Sequence, residues 1–152
     1  MKRLHIHISV DDLDKSRAFY TALFGAEPTK EKSDYLQWLL DDPAINFAIS
    51  KGRSKRGLNH LGLQFDSDEA VAETEARLVA AGITGEKQSG AQCCYAASNK
   101  YWVQDPQEVI WENYHTMGQI EVFGGGDAFT GGVGCCQPTF SENGKWSTAG
   151  GC

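Results

Sequence analysis

The sequence lacks any apolar run approaching the ~20 residues that cross a bilayer. It also lacks a basic stripe with interleaved aromatic residues, since 14 Lys and Arg stand against 20 Asp and Glu, for a formal net charge of −6. The residues that follow Met1 alternate in hydropathy and so do not form the continuous apolar core of a signal peptide. We therefore expect a cytoplasmic protein that binds neither membranes nor nucleic acids.

The five cysteines form two adjacent pairs and a terminal residue: Cys93-Cys94, Cys135-Cys136 and Cys152. In a reducing compartment this number favours free thiols or metal chemistry over a disulfide framework. Neighbouring thiols cannot easily close an unstrained disulfide, but they can chelate one soft atom such as trivalent arsenic. The simpler alternative is that they fill space as small apolar residues.

One pattern occurs twice, an alternating strand followed by a helix and further short strands. It predicts a domain over residues 1–115, with module 1 at 1–50, a solvated linker at 51–57 and module 2 at 58–115. Residues 116–152 hold ten of the 17 glycines and form a Gly- and Cys-rich C-terminal extension. Two copies are too few for a solenoid, so we expect them to pair across a pseudo-two-fold axis.

Local spacing predicts the details of each copy. Within the second copy, one short strand is predicted over residues 94–96. In the first copy, the 3.6-residue spacing predicts a helix that ends at Gly25 and buries one stripe: Ser16, Phe19, Tyr20 and Leu23.

Superposing the two copies brings four polar residues into one cavity. His5 and His60 each lie five residues before the end of a first strand, and Asn46 matches Glu112 in the last strands. Two imidazoles and a carboxylate are metal ligands, whereas Asn46 is at best a weak one. His7 faces the same side as His5 and could replace it or orient a substrate, although the register of the repeat favours His5.

The donor set His5, His60 and Glu112 would leave about three positions open in an octahedral site. That is the arrangement of non-haem Fe(II) oxygenases, which need room for both substrate and dioxygen. Zn, Mn or Ni can bind the same donors. The three residues alone therefore do not choose the metal.

Several motifs carry a family resemblance: His5 with Val10-Asp-Asp-Leu-Asp-Lys-Ser16, Phe19-Tyr-Thr-Ala-Leu-Phe-Gly25, Asn59-His-Leu-Gly62, and Asp105-Pro106 with Trp111-Glu112. They resemble the vicinal-oxygen-chelate superfamily, which contains glyoxalase I, extradiol dioxygenases, and fosfomycin- and bleomycin-resistance proteins. The resemblance implies an α+β fold in which two βαβββ modules form a half-open mixed β-barrel.

A narrower resemblance rests on Cys93-Cys-Tyr-Ala96 followed by Lys100-Tyr-Trp-Val103. This segment is similar to the arsenic-inducible and cadmium-induced family, whose characterised members are Fe(II)-dependent dioxygenases that cleave the carbon–arsenic bond of trivalent organoarsenicals. The chain departs from that family at Gln107-Glu108-Val109, where a Gly-Asn turn is common.

The narrower resemblance implies Fe(II) on His5, His60 and Glu112, and the arsenic of methylarsenite on Cys93 and Cys94. The products would be arsenite and formaldehyde. The remaining residues expected around the pocket are His7, Asn46, Tyr95 and Lys100, and the thiols that could join from the extension are Cys135, Cys136 and Cys152.

Two other functions are open at this point. One is thiol-based binding of cadmium or arsenite without turnover. The other is a different enzyme of the superfamily, such as a glyoxalase-type lyase or an antibiotic-modifying thiol transferase. Whether the modules pair within one chain or across a homodimer is also open.

Overall fold

The computed structural model describes residues 2–51, 55–121, 138–141 and 144–147. These residues form two helices, α1 (Leu13–Phe24) and α2 (Asp68–Ala80), and the strands β1 (Arg3–Val10), β2 (Lys30–Lys32), β3 (Tyr35–Asp41), β4 (Ala44–Lys51), β5 (Gly57–Phe65), β6 (Glu86–Cys93), β7 (Ala96–Gln104), β8 (Ile110–Gln119), β9 (Thr139–Phe140) and β10 (Trp146–Ser147). Neither of the described helices is long and apolar enough to span a membrane.

Eight strands form one open mixed sheet in the order β2-β3-β4-β1-β5-β8-β7-β6. Each half has a first strand that runs parallel to its own last strand, β1 with β4 and β5 with β8. A parallel neighbour requires a crossover connection, which the helix begins in each half. The halves join where β1 pairs antiparallel with β5. The α+β fold with a half-open mixed sheet is therefore as predicted.

Alternation along β1 separates two faces of the sheet. Ile6 and Ile8 pack in an apolar cluster with Tyr20 of α1. His5 and His7 point to the other face, where both are buried. The helix thus covers the apolar side, and the histidines lie on the opposite side of the sheet.

Both helices begin at a side chain that satisfies a backbone N–H of the first turn. Asp12 accepts from the N–H of Lys15 at 3.0 Å, and Ser67 accepts from the N–H of Ala70 at 3.3 Å. Helix α1 ends, as predicted, at Gly25, whose φ of 64° is a left-handed conformation that glycine adopts without strain.

The buried face of α1 differs from the predicted stripe. Tyr20 is in the core, with its ring 4.4 Å from that of Phe47, and Phe24 lies 5.1 Å from the same ring. Phe19 and Leu23 are 60% and 61% exposed, so their predicted burial was wrong. The helix carries apolar residues around most of its circumference, and rotation towards Phe47 packs two partly buried aromatic rings against the core instead of one.

The predicted strand over residues 94–96 is also wrong at its start. Cys93 pairs with Ala96, so Cys94 and Tyr95 form a two-residue turn between β6 and β7. Their φ values of 50° and 61° are both left-handed, as tight hairpins require, although glycine and asparagine are the usual residues there. Glu108, in the segment that departs from the family, adopts a φ of 68°.

A substitution at Gly62 tests how closely strand β5, which carries His60, must approach strand β8, which carries Glu112. A Cβ added at Gly62 would lie 2.2 Å from the backbone oxygen of Glu112 on β8. We expect Gly62→Ala to lower the free energy of unfolding by about 2 kcal/mol or more, because one strand must move. Urea denaturation measures this change. Gly118→Ala is the control, since its Cβ would meet nothing within 4 Å; equal losses in both variants would contradict the close approach.

Candidate metal centre

Three histidines meet on the concave face of the sheet. His5 and His7 come from β1, and His60 lies opposite His7 in the register with β5. Each is only 5% exposed. One ligand atom from each lies within 4.8 Å of the others, a separation that suits a shared metal ion. The structure therefore contains a candidate metal site at the junction of the two halves.

Glu112 adds a carboxylate to this cluster. The Nε2 atoms of His5 and His60 are 3.1 Å apart, and they lie 3.5 and 3.3 Å from Glu112 Oε2. Two ligands about 2.1 Å from one ion lie roughly 3.0 Å apart at a right angle and roughly 3.4 Å apart at the tetrahedral angle. The three atoms are thus spaced as donors to one ion. The structure brings together the set that the repeat predicted, and its role as ligands stays a prediction.

The hydrogen bonds of the two rings fix which nitrogen faces the cavity. His5 Nδ1 lies 2.9 Å from the backbone oxygen of Asn46, and His60 Nδ1 lies 2.6 Å from Asn59 Oδ1. Both oxygens can only accept, so both Nδ1 atoms carry the proton. In the neutral form of each ring the lone pair is therefore on Nε2, which faces the other Nε2 and the Glu112 carboxylate. A cation satisfies such a donor set, and the residues fit a bound metal.

Burial keeps His5 and His7 in the neutral form that binds metals. Desolvation, followed by the nearby charge of His60, lowers the pKa of His5 to about 4. The same two causes hold the pKa of His7 well below its usual value. Both rings are consequently neutral at pH 7, and no proton must leave them before a metal binds.

Lys100 holds the carboxylate in place from the other side. Its Nζ lies 2.5 Å from Glu112 Oε1, and both side chains are 5% exposed. Burial by itself would raise the pKa of Glu112, but the Lys100 ammonium and the histidines outweigh it and hold that pKa well below its usual value. Glu112 is therefore ionised, with Oε1 on Lys100 and Oε2 directed to the histidines.

Asn46 occupies the position that matches Glu112 in the first half. Its Oδ1 accepts from Gln37 Nε2 at 2.8 Å. Its Nδ2 donates to Gln64 Oε1 at 3.0 Å and to the Tyr114 hydroxyl at 2.6 Å. The amide oxygen and nitrogen of Asn46 are therefore engaged by groups other than His5, His60 and Glu112.

His7 lies in the cluster but has a hydrogen-bond partner of its own, different from those of His5 and His60. Its Nε2 is 2.8 Å from Ser50 Oγ, and its ring centroid is 5.0 Å from that of His60. Both sequence-based roles, replacement of His5 and orientation of a substrate, remain compatible with this place.

Two residues of the site were missed from the sequence. Trp102 Nε1 donates to Gln88 Oε1 at 2.9 Å, and the Trp102 ring is 5.3 Å from that of His60. Gln88 Nε2 is buried and has no hydrogen-bond partner among the residues that the structure describes. A lone glutamine in a strand carries no motif; only its register opposite Lys100 places it on this face.

The thiol-bearing turn is linked to the histidine cluster through Tyr35. Cys94 is half-buried and packs against a small cluster that contains Tyr35, Ala48 and Tyr95. The Tyr35 ring is 6.1 Å from that of His7. The other predicted thiols lie outside the described residues: the side chain of Cys93, and Cys135, Cys136 and Cys152.

The lowered pKa of His5 predicts an acid-sensitive fold for the metal-free chain. Between pH 6.5 and about 4, the unfolded His5 binds a proton that the folded one excludes, so stability rises with pH across this window and is lost as the pH falls. The loss from this residue amounts to about 3 kcal/mol. Urea denaturation in the presence of a chelator measures it. His5→Asn should flatten the pH dependence of the free energy of unfolding. An unchanged slope in this variant would contradict the assignment of the acid sensitivity to His5.

The sequence is similar to several curated proteins over most of its length. A trivalent organoarsenical cleaving enzyme of Bacillus sp. (strain MD1) is 35% identical and covers 94% of this chain and 95% of its own. The cadmium-induced protein CadI of Mycobacterium tuberculosis is 38% identical over 83% of this chain and 84% of its own. A trivalent organoarsenical cleaving enzyme of Thermomonospora curvata is 29% identical over 91% and 90% of the two chains.

Solved structures share the fold at lower identity. An extradiol ring-cleaving dioxygenase from B. fuscum superposes with a TM-score of 0.57 at 21% identity, covering 78% of this chain and 34% of its own. A Mn(II)-bound glyoxalase from Novosphingobium aromaticivorans gives 0.56 at 17%, covering 80% and 43%. The chain thus spans less than half the length of these two proteins. A family model matches residues 2–112, and the chain belongs to the Glyoxalase/Bleomycin resistance protein/Dioxygenase superfamily.

Proposed function

We propose that the protein is an Fe(II)-dependent dioxygenase that cleaves the carbon–arsenic bond of trivalent organoarsenicals such as methylarsenite. The observation that carries the proposal is the turn with Cys94, which packs against Tyr35 beside the histidine cluster. Two relatives over nine-tenths of the chain are named trivalent organoarsenical cleaving enzymes. The role would be resistance to arsenic.

The proposed reaction balances without a further reductant. One methylarsenite, CH3As(OH)2, and one dioxygen contain the atoms of one arsenite, As(OH)3, and one formaldehyde. The carbon–arsenic bond breaks, the methyl carbon is oxidised, and dioxygen is the oxidant. The enzyme must therefore bring together two small molecules and a metal, and it needs no organic cofactor for this stoichiometry.

His5, His60 and Glu112 would hold the metal. Fe(II), when bound there, supplies the ability to activate dioxygen, and Zn, Mn or Ni could take the same donors. Lys100 keeps the carboxylate ionised and occupies its second oxygen. The amide of Asn46 is engaged with Gln64 and Tyr114, so this residue would not act as a further ligand.

Cys93 and Cys94 would bind the arsenic. Two thiolates chelate a soft, trivalent centre, whereas the imidazole and carboxylate donors select a harder metal ion. Holding arsenic at the turn would fix its methyl group near the metal and replace an encounter in solution by a positioned step. The buried Gln88 Nε2 offers a hydrogen-bond donor for an oxygen atom in the same cavity.

Two substitutions should separate metal binding from arsenic binding. Glu112→Gln removes a ligand charge, so we expect iron affinity and formaldehyde release to fall, the latter at least about 100-fold. Cys94→Ser should retain iron and lose methylarsenite binding. Oxygen consumption, formaldehyde release and bound iron are measured after anaerobic loading with Fe(II).

Glu69→Gln, at an exposed position in the first turn of α2, is the matched control and should behave as the unmodified chain. Thiol-dependent binding of cadmium or arsenite that survives Glu112→Gln, without oxygen uptake by the unmodified protein, would identify a sequestering protein instead. Absence of turnover in unmodified protein with iron verified as bound would contradict the proposed reaction.

A further inference from the structure

The two ends of the eight-stranded sheet meet at the side chain of Tyr95. This residue lies in the turn between β6 and β7, at one edge of the sheet. Its hydroxyl donates to Asp34 Oδ1 at 2.6 Å, in the turn between β2 and β3 at the opposite edge. The Tyr35 ring, at the start of β3, is 5.8 Å from the Tyr95 ring. The contact spans 61 residues of sequence and links the two halves of the chain.

Two lysines of β2 hold the same turn. Lys30 Nζ donates to the backbone oxygen of Tyr95 at 3.4 Å, and Lys32 Nζ lies 5.2 Å from the centre of its ring. The backbone N–H of Ile120 donates to the same oxygen at 3.1 Å. Tyr95 itself is 8% exposed. The hydroxyl, the ring and the carbonyl of one residue are thus each held by a different group.

The backbone of this turn needs such support. Cys94 and Tyr95 have φ values of 50° and 61°, a conformation that residues with a Cβ rarely adopt. Two successive residues of this kind persist only where the surrounding contacts impose them. In the described part of the chain, those contacts come from β2, from the β2–β3 turn and from the end of β8.

We propose that Tyr95 is a positioning residue whose hydrogen bond to Asp34 holds the thiol of Cys94 at the cavity. The inference deepens the proposed function and rests on it for the identity of the bound arsenical. Cys94 directly precedes Tyr95 and packs with it against Tyr35 and Ala48. Loss of the contact would remove one of the links between the turn and the first half of the chain, loosen the turn and let the thiol move away from the histidines.

The charges around the turn agree with this role. Lys30 is partly buried, and burial lowers its pKa, whereas the charge of Cys94 acts to raise it. The ammonium therefore lies within electrostatic reach of the thiol and favours its thiolate form, which is the form that binds arsenic. Because Lys30 also donates to the Tyr95 carbonyl, the same turn geometry sets the distance between this cation and Cys94.

The first test is the accessibility of Cys94, which does not depend on arsenic. In a Cys93→Ser background, iodoacetamide labelling near pH 9 reports access to the Cys94 thiol when the peptide that contains Cys94 is quantified by mass spectrometry, because the thiolate then predominates and Cys135, Cys136 and Cys152 are counted separately. We expect Tyr95→Phe and Asp34→Asn each to raise the labelling rate of Cys94 at least about fivefold. The labelling rate of the double variant should be close to that of either single variant, since both substitutions remove the same contact.

The second test is the affinity for methylarsenite in the full chain with both cysteines present. Tyr95→Phe should raise the dissociation constant about tenfold, the range expected for a hydrogen bond to a charged group. Tyr20→Phe, which removes a hydroxyl from helix α1, is the matched control and should change neither quantity. If Tyr95→Phe fails to fold, Asp34→Asn supplies the same two measurements.

The outcomes separate the two proposals. Unchanged labelling rates in folded Tyr95→Phe and Asp34→Asn would overturn the positioning role, as would rates that multiply in the double variant. An unmodified protein that binds no methylarsenite would refute the proposed function. The labelling rates would still decide whether Tyr95 positions the thiol.

Discussion

The site depends on the Nε2 atoms of two imidazoles and one carboxylate oxygen, which lie 3.1 to 3.5 Å from one another and, with both rings neutral, direct lone pairs at each other. Such an arrangement is repulsive in the absence of a cation, and the protein imposes it from outside. The carbonyl of Asn46 and the amide of Asn59 take the outer protons, and Lys100 takes the outer carboxylate oxygen. The pairing of β1 with β5 and the lack of a side chain at Gly62 then set the distances.

The same sheet brings a chemically different group to this centre. The candidate metal donors come from the first strand of each half and the last strand of the second half, whereas the turn with Cys94 comes from the edge of the sheet and is held across to the other edge. Soft thiols and harder nitrogen and oxygen donors therefore remain on separate elements, so that each can bind its own partner. A curved, open sheet can place the edge turn with Cys94 near the histidine cluster because its two edges approach each other.

The placement of the candidate metal ligands could be predicted from the sequence because it depends on periodicity. Alternation placed His5 on the face opposite Ile6, and the internal repeat brought His60 and Glu112 beside it. What depends on register and packing could not be predicted. The ion pair of Lys100 with Glu112 joins two strands across a turn, and the turn at Cys94 opposes the backbone preference of its residues. The prediction of which side of α1 is exposed was wrong, because a helix with apolar residues around most of its circumference can pack against the sheet through more than one stripe.

X-ray absorption at the iron and arsenic edges would test the central claim of two separate binding groups most directly. The anaerobic protein would be loaded with Fe(II) and one equivalent of methylarsenite. The account predicts iron surrounded by nitrogen and oxygen only, and arsenic bonded to sulfur and to its methyl carbon. Sulfur in the shell of the iron, or arsenic without sulfur neighbours, would contradict it.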